Sequence, residues 1–113
     1  MLFRSGAVIP NSSNLKFSNK EGSYQSSLGK FIINESYYGD FGKAYRLDGL
    51  DSTNNQARKR AIVLHSFHSV PDKESNNLVT LSLGCPMISL QSLAITASYL
   101  DQSSKRIILY AFY

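Results

Sequence analysis

Helical spacing occurs once in this chain, and that restriction shapes what the rest of it can build. Behind Ser89, the residues Leu90, Leu93, Ala94, Ala97 and Leu100 recur at i, i+3, i+4 and i+7 intervals, which lays one apolar stripe along a helix. Ser89 offers an N-cap hydroxyl, and the polar run Asp101-Gln102-Ser103-Ser104 ends the helix. Elsewhere the apolar residues fall in short runs rich in β-branched and aromatic side chains, which is how strands read. Phe31-Ile32-Ile33, Ala44-Tyr45-Arg46-Leu47, Ala61-Ile62-Val63-Leu64, Leu78-Val79-Thr80-Leu81 and residues 106–112 are predicted as strands. The first 27 residues predict one short strand and then a long loop, because their serines and asparagines bond their own backbone and favour turns. Tyr37 to Gly42, with two glycines, predicts a turn, and residues 56–60 a helical turn. The expected class is mainly β, with one helix late in the chain.

Composition narrows the range of functions. A chain of 113 residues closes one hydrophobic core and not two, so residues 1–113 are expected to form a single domain. Its 42% hydrophobic and 18% charged residues describe a globular protein. A formal charge of +4 fits attraction to an anionic polymer, and equally a surface that is merely soluble. The basic triple Arg58-Lys59-Arg60 has no interleaved aromatic residue and reads as a solvated face, not as a nucleic-acid contact. One cysteine excludes an intrachain disulfide. No run approaches the roughly 20 apolar residues of a transmembrane helix. Residues 1–10 are too interrupted for the apolar core of a signal peptide.

The chemistry-bearing stretch is Ser82-Leu83-Gly84-Cys85-Pro86, which holds the single cysteine. Twenty positions upstream, His65 ends the apolar run that starts at Ala61. A thiolate is the reactive form of cysteine, and a free thiol with a pKa of about 8.5 is mostly protonated at neutral pH. A neighbouring imidazole that takes the proton makes a nucleophile. Gly84, lacking a Cβ, lets the backbone turn sharply and aim amide N–H groups at a developing oxyanion. Against this stands the plainer reading of a lone cysteine as a small buried hydrophobe. His68 rivals His65, but three positions along a strand point to opposite faces, so both cannot meet one thiol. The same parity argues against a metal held by His65, His68 and Cys85, since even a catalytic zinc needs three protein ligands.

Several blocks, in one order, raise the catalytic reading. They are Phe17-Ser18-Asn19-Lys20-Glu21-Gly22-Ser23, Gln25-Ser26-Ser27-Leu28-Gly29, Glu35-Ser36-Tyr37, Tyr45-Arg46-Leu47-Asp48-Gly49-Leu50, Asn54-Asn55-Gln56-Ala57-Arg58, Arg60 to His65, and Ser82 to Pro86. From Phe17 to Phe112 the chain resembles the murein L,D-transpeptidase catalytic domain family, YkuD-type cysteine enzymes of bacterial cell walls. The resemblance implies a β-sandwich-like catalytic domain with one helix after the nucleophile. It implies Cys85 as nucleophile, His65 as general base and acid, and a backbone carbonyl in place of a carboxylate to orient the imidazole. Backbone N–H groups of Gly84 and Cys85 would form the oxyanion hole, with Ser82 holding the turn. Arg46, Tyr37 and Ser66 take substrate-binding positions, and Arg46 could grip a peptide carboxylate at two points. Peptidoglycan stem peptides are the implied substrates and carbapenem-type β-lactams the implied inhibitors, with no cofactor, in the periplasm or cell envelope. Set against the resemblance, the chain is expected to begin inside the domain, without the family's amino-terminal strands or a signal peptide. It also carries Ser66 where a glycine usually follows the histidine, Leu83 where the wider superfamily has histidine, and Met87 where that superfamily has arginine or asparagine. These departures keep a second expectation open: an inactive relative that binds cell-wall peptides or a protein. A cytosolic thiol hydrolase of unrelated substrate is a third.

Overall fold

A computed structural model describes residues 3–4, 16–72 and 84–112. The expected strand at 78–81 and the positions Ser82 and Leu83 lie outside the described residues. The elements run β1 (Phe3–Arg4), β2 (Gly29–Gly39), β3 (Gly42–Gly49), β4 (Val63–Ser66), β5 (Met87–Ile88), α1 (Leu90–Leu100) and β6 (Ile107–Ala111). Among the described residues the strands form one six-stranded sheet in the order β1-β5-β4-β3-β2-β6. The molecule is mainly β with one helix after the cysteine turn, and its sheet curls in keeping with a β-sandwich-like fold. All pairings are antiparallel except β4 with β5.

Two expectations are corrected by the hairpin and the helix. The predicted turn over Tyr37 to Gly42 shrinks to Asp40-Phe41, because β2 and β3 pair as far as Gly39 and Gly42. Tyr37 and Tyr38 are good strand residues, and Gly42, at φ +81°, supplies the left-handed backbone that closes so tight a loop. In α1, Ser89 caps as expected, its Oγ accepting from the Ser92 N–H at 3.0 Å. Only part of the predicted stripe is covered, however. Leu93 is buried and Ala97 and Leu100 pack on the core, while Leu90 and Ala94 face solvent. An eleven-residue helix touching the sheet at one side buries a narrower strip than its apolar spacing offers.

Register decides which residues share a face. Ile33 opposes Leu47, Tyr45 opposes Leu64 and Ser66 opposes Ile88, and this side carries most of the core: Phe31, Tyr45, Leu47, Ala57, Ile62, Leu64, Ile88 and Leu93. The alternate residues lie on the other side. There Tyr37 opposes Ala44, Ala44 opposes His65 and His65 opposes Met87, one row across four strands. α1 is pinned at its far end, where Tyr45 donates to Asp101 at 2.8 Å and Lys43 pairs with the same carboxylate.

The segment between β3 and β4 is the helical turn expected at 56–60. It is latched by Asn54, fully buried, whose Nδ2 donates to the Lys30 carbonyl at 2.8 Å while Oδ1 accepts from Asp51 N–H at 2.9 Å. Gly49 lets this turn approach, since a Cβ there would lie 1.9 Å from the Asn54 carbonyl oxygen. At its end the Ile62 N–H bonds the Ala57 carbonyl at 2.9 Å and the Ala61 N–H bonds that of Arg58 at 3.0 Å. Those two bonds define a Schellman cap, with Ala61 in the left-handed position usually given to glycine, at φ +57°. The cap turns the chain straight into β4.

Candidate active site

β4 is the strand on which the site is built. It lies between β3 and β5, and Ile62 to Ser66 are all buried; the strand predicted over Ala61 to Leu64 starts at Val63 instead, because Ala61 is exposed and left-handed in the cap before it. His65 is only 4% exposed. Its backbone N–H bonds the Pro86 carbonyl at 3.3 Å, so the cysteine turn and the histidine strand are joined by the sheet ladder itself.

The imidazole is oriented by a backbone carbonyl. Its Nδ1 lies 2.9 Å from the Ser66 carbonyl oxygen. A carbonyl only accepts, so Nδ1 carries the proton and Nε2 is left with the basic lone pair. Phe41, from the hairpin tip, stacks on the ring with centroids 4.4 Å apart and planes 18° apart. Burial pushes the His65 pKa down, with the Ser66 bond opposing it, and the ring is neutral at pH 7.

The cysteine turn precedes β5, and the parallel register brings Cys85 beside the start of β4. Val63 N–H donates to Cys85 Sγ at 3.4 Å, and the thiol lies 3.7 Å from the Ala61 carbonyl oxygen. His65 is two residues beyond Val63 on the same strand, about 6.6 Å along it. The thiol is half-buried and packs against the core cluster. Burial pushes its pKa up, opposed by the Val63 N–H and by the nearby Arg60 cation. Gly84 has φ +110°, and a Cβ there would meet the Gln25 carbonyl at 3.0 Å and Ile62 Cδ1 at 3.2 Å, so the turn has no room for a side chain. Ser26 Oγ donates to the Gly84 carbonyl at 2.9 Å and holds the turn from the loop side. The described hydrogen bonds of the thiol and of the imidazole run to backbone groups, not to each other.

Other predicted positions fall as follows. Tyr37 and Arg46 occupy the same sheet face as His65, with Arg46 opposite Val63. The Arg46 guanidinium stacks 4.3 Å over the Tyr37 ring and lies 3.7 Å from Glu35, whose carboxyl Arg58 holds down at about 2. Ser66 is buried, and what it brings to the imidazole is its carbonyl. His68 is exposed and lies in a turn past the end of β4. The strand-parity argument against it therefore does not apply, and what separates it from the site is its place beyond the sheet. Among the described residues no group of three or more His, Cys, Asp or Glu is placed to hold a metal.

Two residues near the site escaped the sequence reading. Phe41 covers the imidazole, and the only signal was an aromatic flanked by Gly39 and Gly42. Arg60, read as part of a solvated basic face, is half-buried against Gly84.

A family model described as the L,D-transpeptidase catalytic domain matches residues 4–112. The chain belongs to that family, over essentially its whole length. No curated protein and no solved structure is significantly similar to it. No helix among the described residues is long and apolar enough to cross a membrane.

Proposed function

We propose that the protein is a cysteine acyltransferase of the L,D-transpeptidase kind, acting on peptidoglycan stem peptides in the cell envelope. The observation that carries the reading is a histidine with a defined tautomer, Nδ1 on the Ser66 carbonyl and Nε2 basic, on the strand beside a cysteine turn, in a chain of this family. In this mechanism His65 Nε2 takes the Cys85 proton and the sulfur attacks the amide carbon before a terminal D-alanine. The carbonyl electrons move onto oxygen, which faces the N–H groups of Gly84 and Cys85. Collapse re-forms the carbonyl, breaks the C–N bond and sends the His65 proton to the departing amine. A thioester remains. An acceptor amine then attacks it, giving its proton to His65, and the thiol leaves with that proton, yielding a cross-link. Water in place of the amine yields a carboxypeptidase. Tyr37 and Arg46, on the face that carries His65, are the proposed contacts for the peptide.

Intact-protein mass spectrometry after carbapenem treatment tests this. A single adduct on the wild type, lost in Cys85→Ala, is expected. No adduct, or an equal one on Cys85→Ala, discards the enzyme. A second reading, a peptide-binding relative without turnover, is favoured by the separate backbone partners of thiol and imidazole. Peptidoglycan binding that survives Cys85→Ala, with no D-alanine released by the wild type, would select it.

A further inference from the structure

Arg60 behaves unlike the two basic residues before it. Arg58 is bonded to Asp48 and Glu35, and Lys59 reaches Glu21 at 3.8 Å. Arg60 has no carboxylate partner among the described residues. Its guanidinium donates to the Ser18 carbonyl at 2.9 Å, to Ser23 Oγ at 3.2 Å and to the Gln25 carbonyl. All three acceptors are neutral and belong to one loop. Arginine is rarely buried without an anion, and its guanidinium stays charged in any folded protein.

The position of this cation indicates the anion it lacks. Arg60 is the C-cap residue of the helical turn, next to Ala61, whose carbonyl faces the thiol. One Nη lies where a Cβ on Gly84 would be 3.3 Å away, so the guanidinium is packed against the residue before the nucleophile. The charge that Arg60 would face is the ionised Cys85, and each registers in the electrostatics of the other. The other charged groups among the described residues near the thiol are differently placed. Lys59 and Glu21 pair in solvent, Lys20 is exposed, α1 carries no charged residue, and His65 on β4 bonds Ser66.

We propose that Arg60 is a positioning residue for the nucleophile: its planar fork ties the Ser18–Gln25 loop across Gly84, and its fixed charge stabilises the Cys85 thiolate. This rests on the acyl-transfer reading for its purpose, but the two parts are measured without it. Among the described residues this half-buried cation is bonded to neutral oxygens alone, which leaves its charge free to favour the ionised sulfur beside it. The fork keeps the guanidinium from swinging out to solvent when the thiol is protonated.

The pH dependence of iodoacetamide alkylation reads the thiolate directly and needs no transpeptidase activity. For Arg60→Gln the midpoint should rise by about 0.5 to 1 pH unit, slowing alkylation at pH 7 roughly three- to tenfold. Arg60→Lys should restore most of the midpoint, because it keeps the charge. Ser23→Ala removes one tie and no charge, and should leave it unchanged. A folded Arg60→Gln protein with the wild-type profile overturns the proposal. If that variant does not fold, Arg60→Lys decides by hydrogen exchange. Amides of residues 18–26 should exchange at least about tenfold faster, since an ammonium cannot reproduce a planar fork. Wild-type exchange there overturns the proposal. Carbapenem adducts on the same samples separate the two failures: no adduct on wild type rejects the enzyme, whereas a normal adduct with an unmoved alkylation profile rejects Arg60 alone.

Discussion

His65 is hydrogen-bonded into the sheet with β3 along one side and β5 along the other, whereas Cys85 is held by a few contacts at a turn made by Gly84. The strand under the ring could move only by breaking ladder bonds on both sides, and the ring itself could turn only by giving up the Ser66 carbonyl and its stack on Phe41. The sulfur could change rotamer by giving up one N–H and one carbonyl. The imidazole thus has a fixed backbone anchor and a ring stacked on it, while the sulfur has one N–H and one carbonyl; in the acyl-transfer reading proposed above, the proton acceptor would be the more firmly placed of the two.

The largest effect should come from removing the imidazole while watching both ends. His65→Gln should lower carbapenem acylation of Cys85 by about 10²- to 10⁴-fold, the usual range for a general base. Its iodoacetamide midpoint should hardly move, because thiol and ring are bonded to separate backbone groups at rest. A midpoint that moves with the acylation rate would mean that the two ends are already coupled in the free protein, which breaks the comparison.

Next in size is the acid sensitivity of the imidazole end. Burial depresses the His65 pKa, so the unfolded chain takes up the proton first as pH falls. The stability tied to a neutral ring is present above the ordinary histidine value of about 6.5. It is lost as pH drops toward the folded pKa, by at most about 1.4 kcal/mol per pH unit. Urea unfolding at pH 7.5 and at pH 5 should show the loss in wild type and a flatter profile in His65→Gln. The depressed carboxyls of Glu35, Asp48 and Asp101 titrate below that window, because their pKa values start near 4 and are lowered further by cationic partners. Equal slopes in the two proteins would show that the ring is not a buried neutral group.

What was legible in the chain followed local rules. Val63 and Leu64 announced a buried strand because no polar residue interrupts their run, although the strand starts two residues later than predicted, since Ala61 closes the preceding cap; Ser89 announced a helix start through its own hydroxyl. The row Tyr37, Ala44, His65, Met87 was not legible, because it exists only once three registers are set, and a slip of one residue would send every side chain to the other face. Arg58, Lys59 and Arg60 look alike in sequence. Their separate fates follow from the Schellman cap, which leaves Arg58 and Lys59 outside and turns Arg60 toward Gly84. The exposed Leu90 and Ala94 fail for a related reason, since spacing states which residues could face a neighbour and not how wide that neighbour is.

Phe41→Ala sharpens the comparison at the imidazole end. The phenylalanine is 53% exposed, so its loss should cost only about 0.5 to 1.5 kcal/mol of stability, the scale of an aromatic contact. The imidazole should gain water, and its pKa should rise toward the ordinary value, visible as an upward shift in the NMR titration of the ring. The thiol midpoint should stay where it is. A ring pKa that does not rise would place the cause of its depression in the sheet rather than in the aromatic cover.

The smallest effect belongs to the thiol end. Ala61 adopts a left-handed conformation at φ +57°, which costs an L-residue about 1 to 2 kcal/mol. Its carbonyl is one of the two backbone groups on the sulfur. Ala61→Gly removes the steric penalty but gives the unfolded chain more freedom, worth about 0.4 to 1 kcal/mol in the opposite direction. The net change should be a gain between about 0 and 1.6 kcal/mol, read in urea unfolding. If the strain serves only to cap the turn, the alkylation profile of Cys85 will be that of wild type. If it also aims the carbonyl at the thiol, relaxing it will speed alkylation at pH 7 by making the proton easier to lose. Destabilisation by more than about 1 kcal/mol would show that the left-handed residue is not strained, and that the sulfur rests on a turn as firm as the strand holding the imidazole.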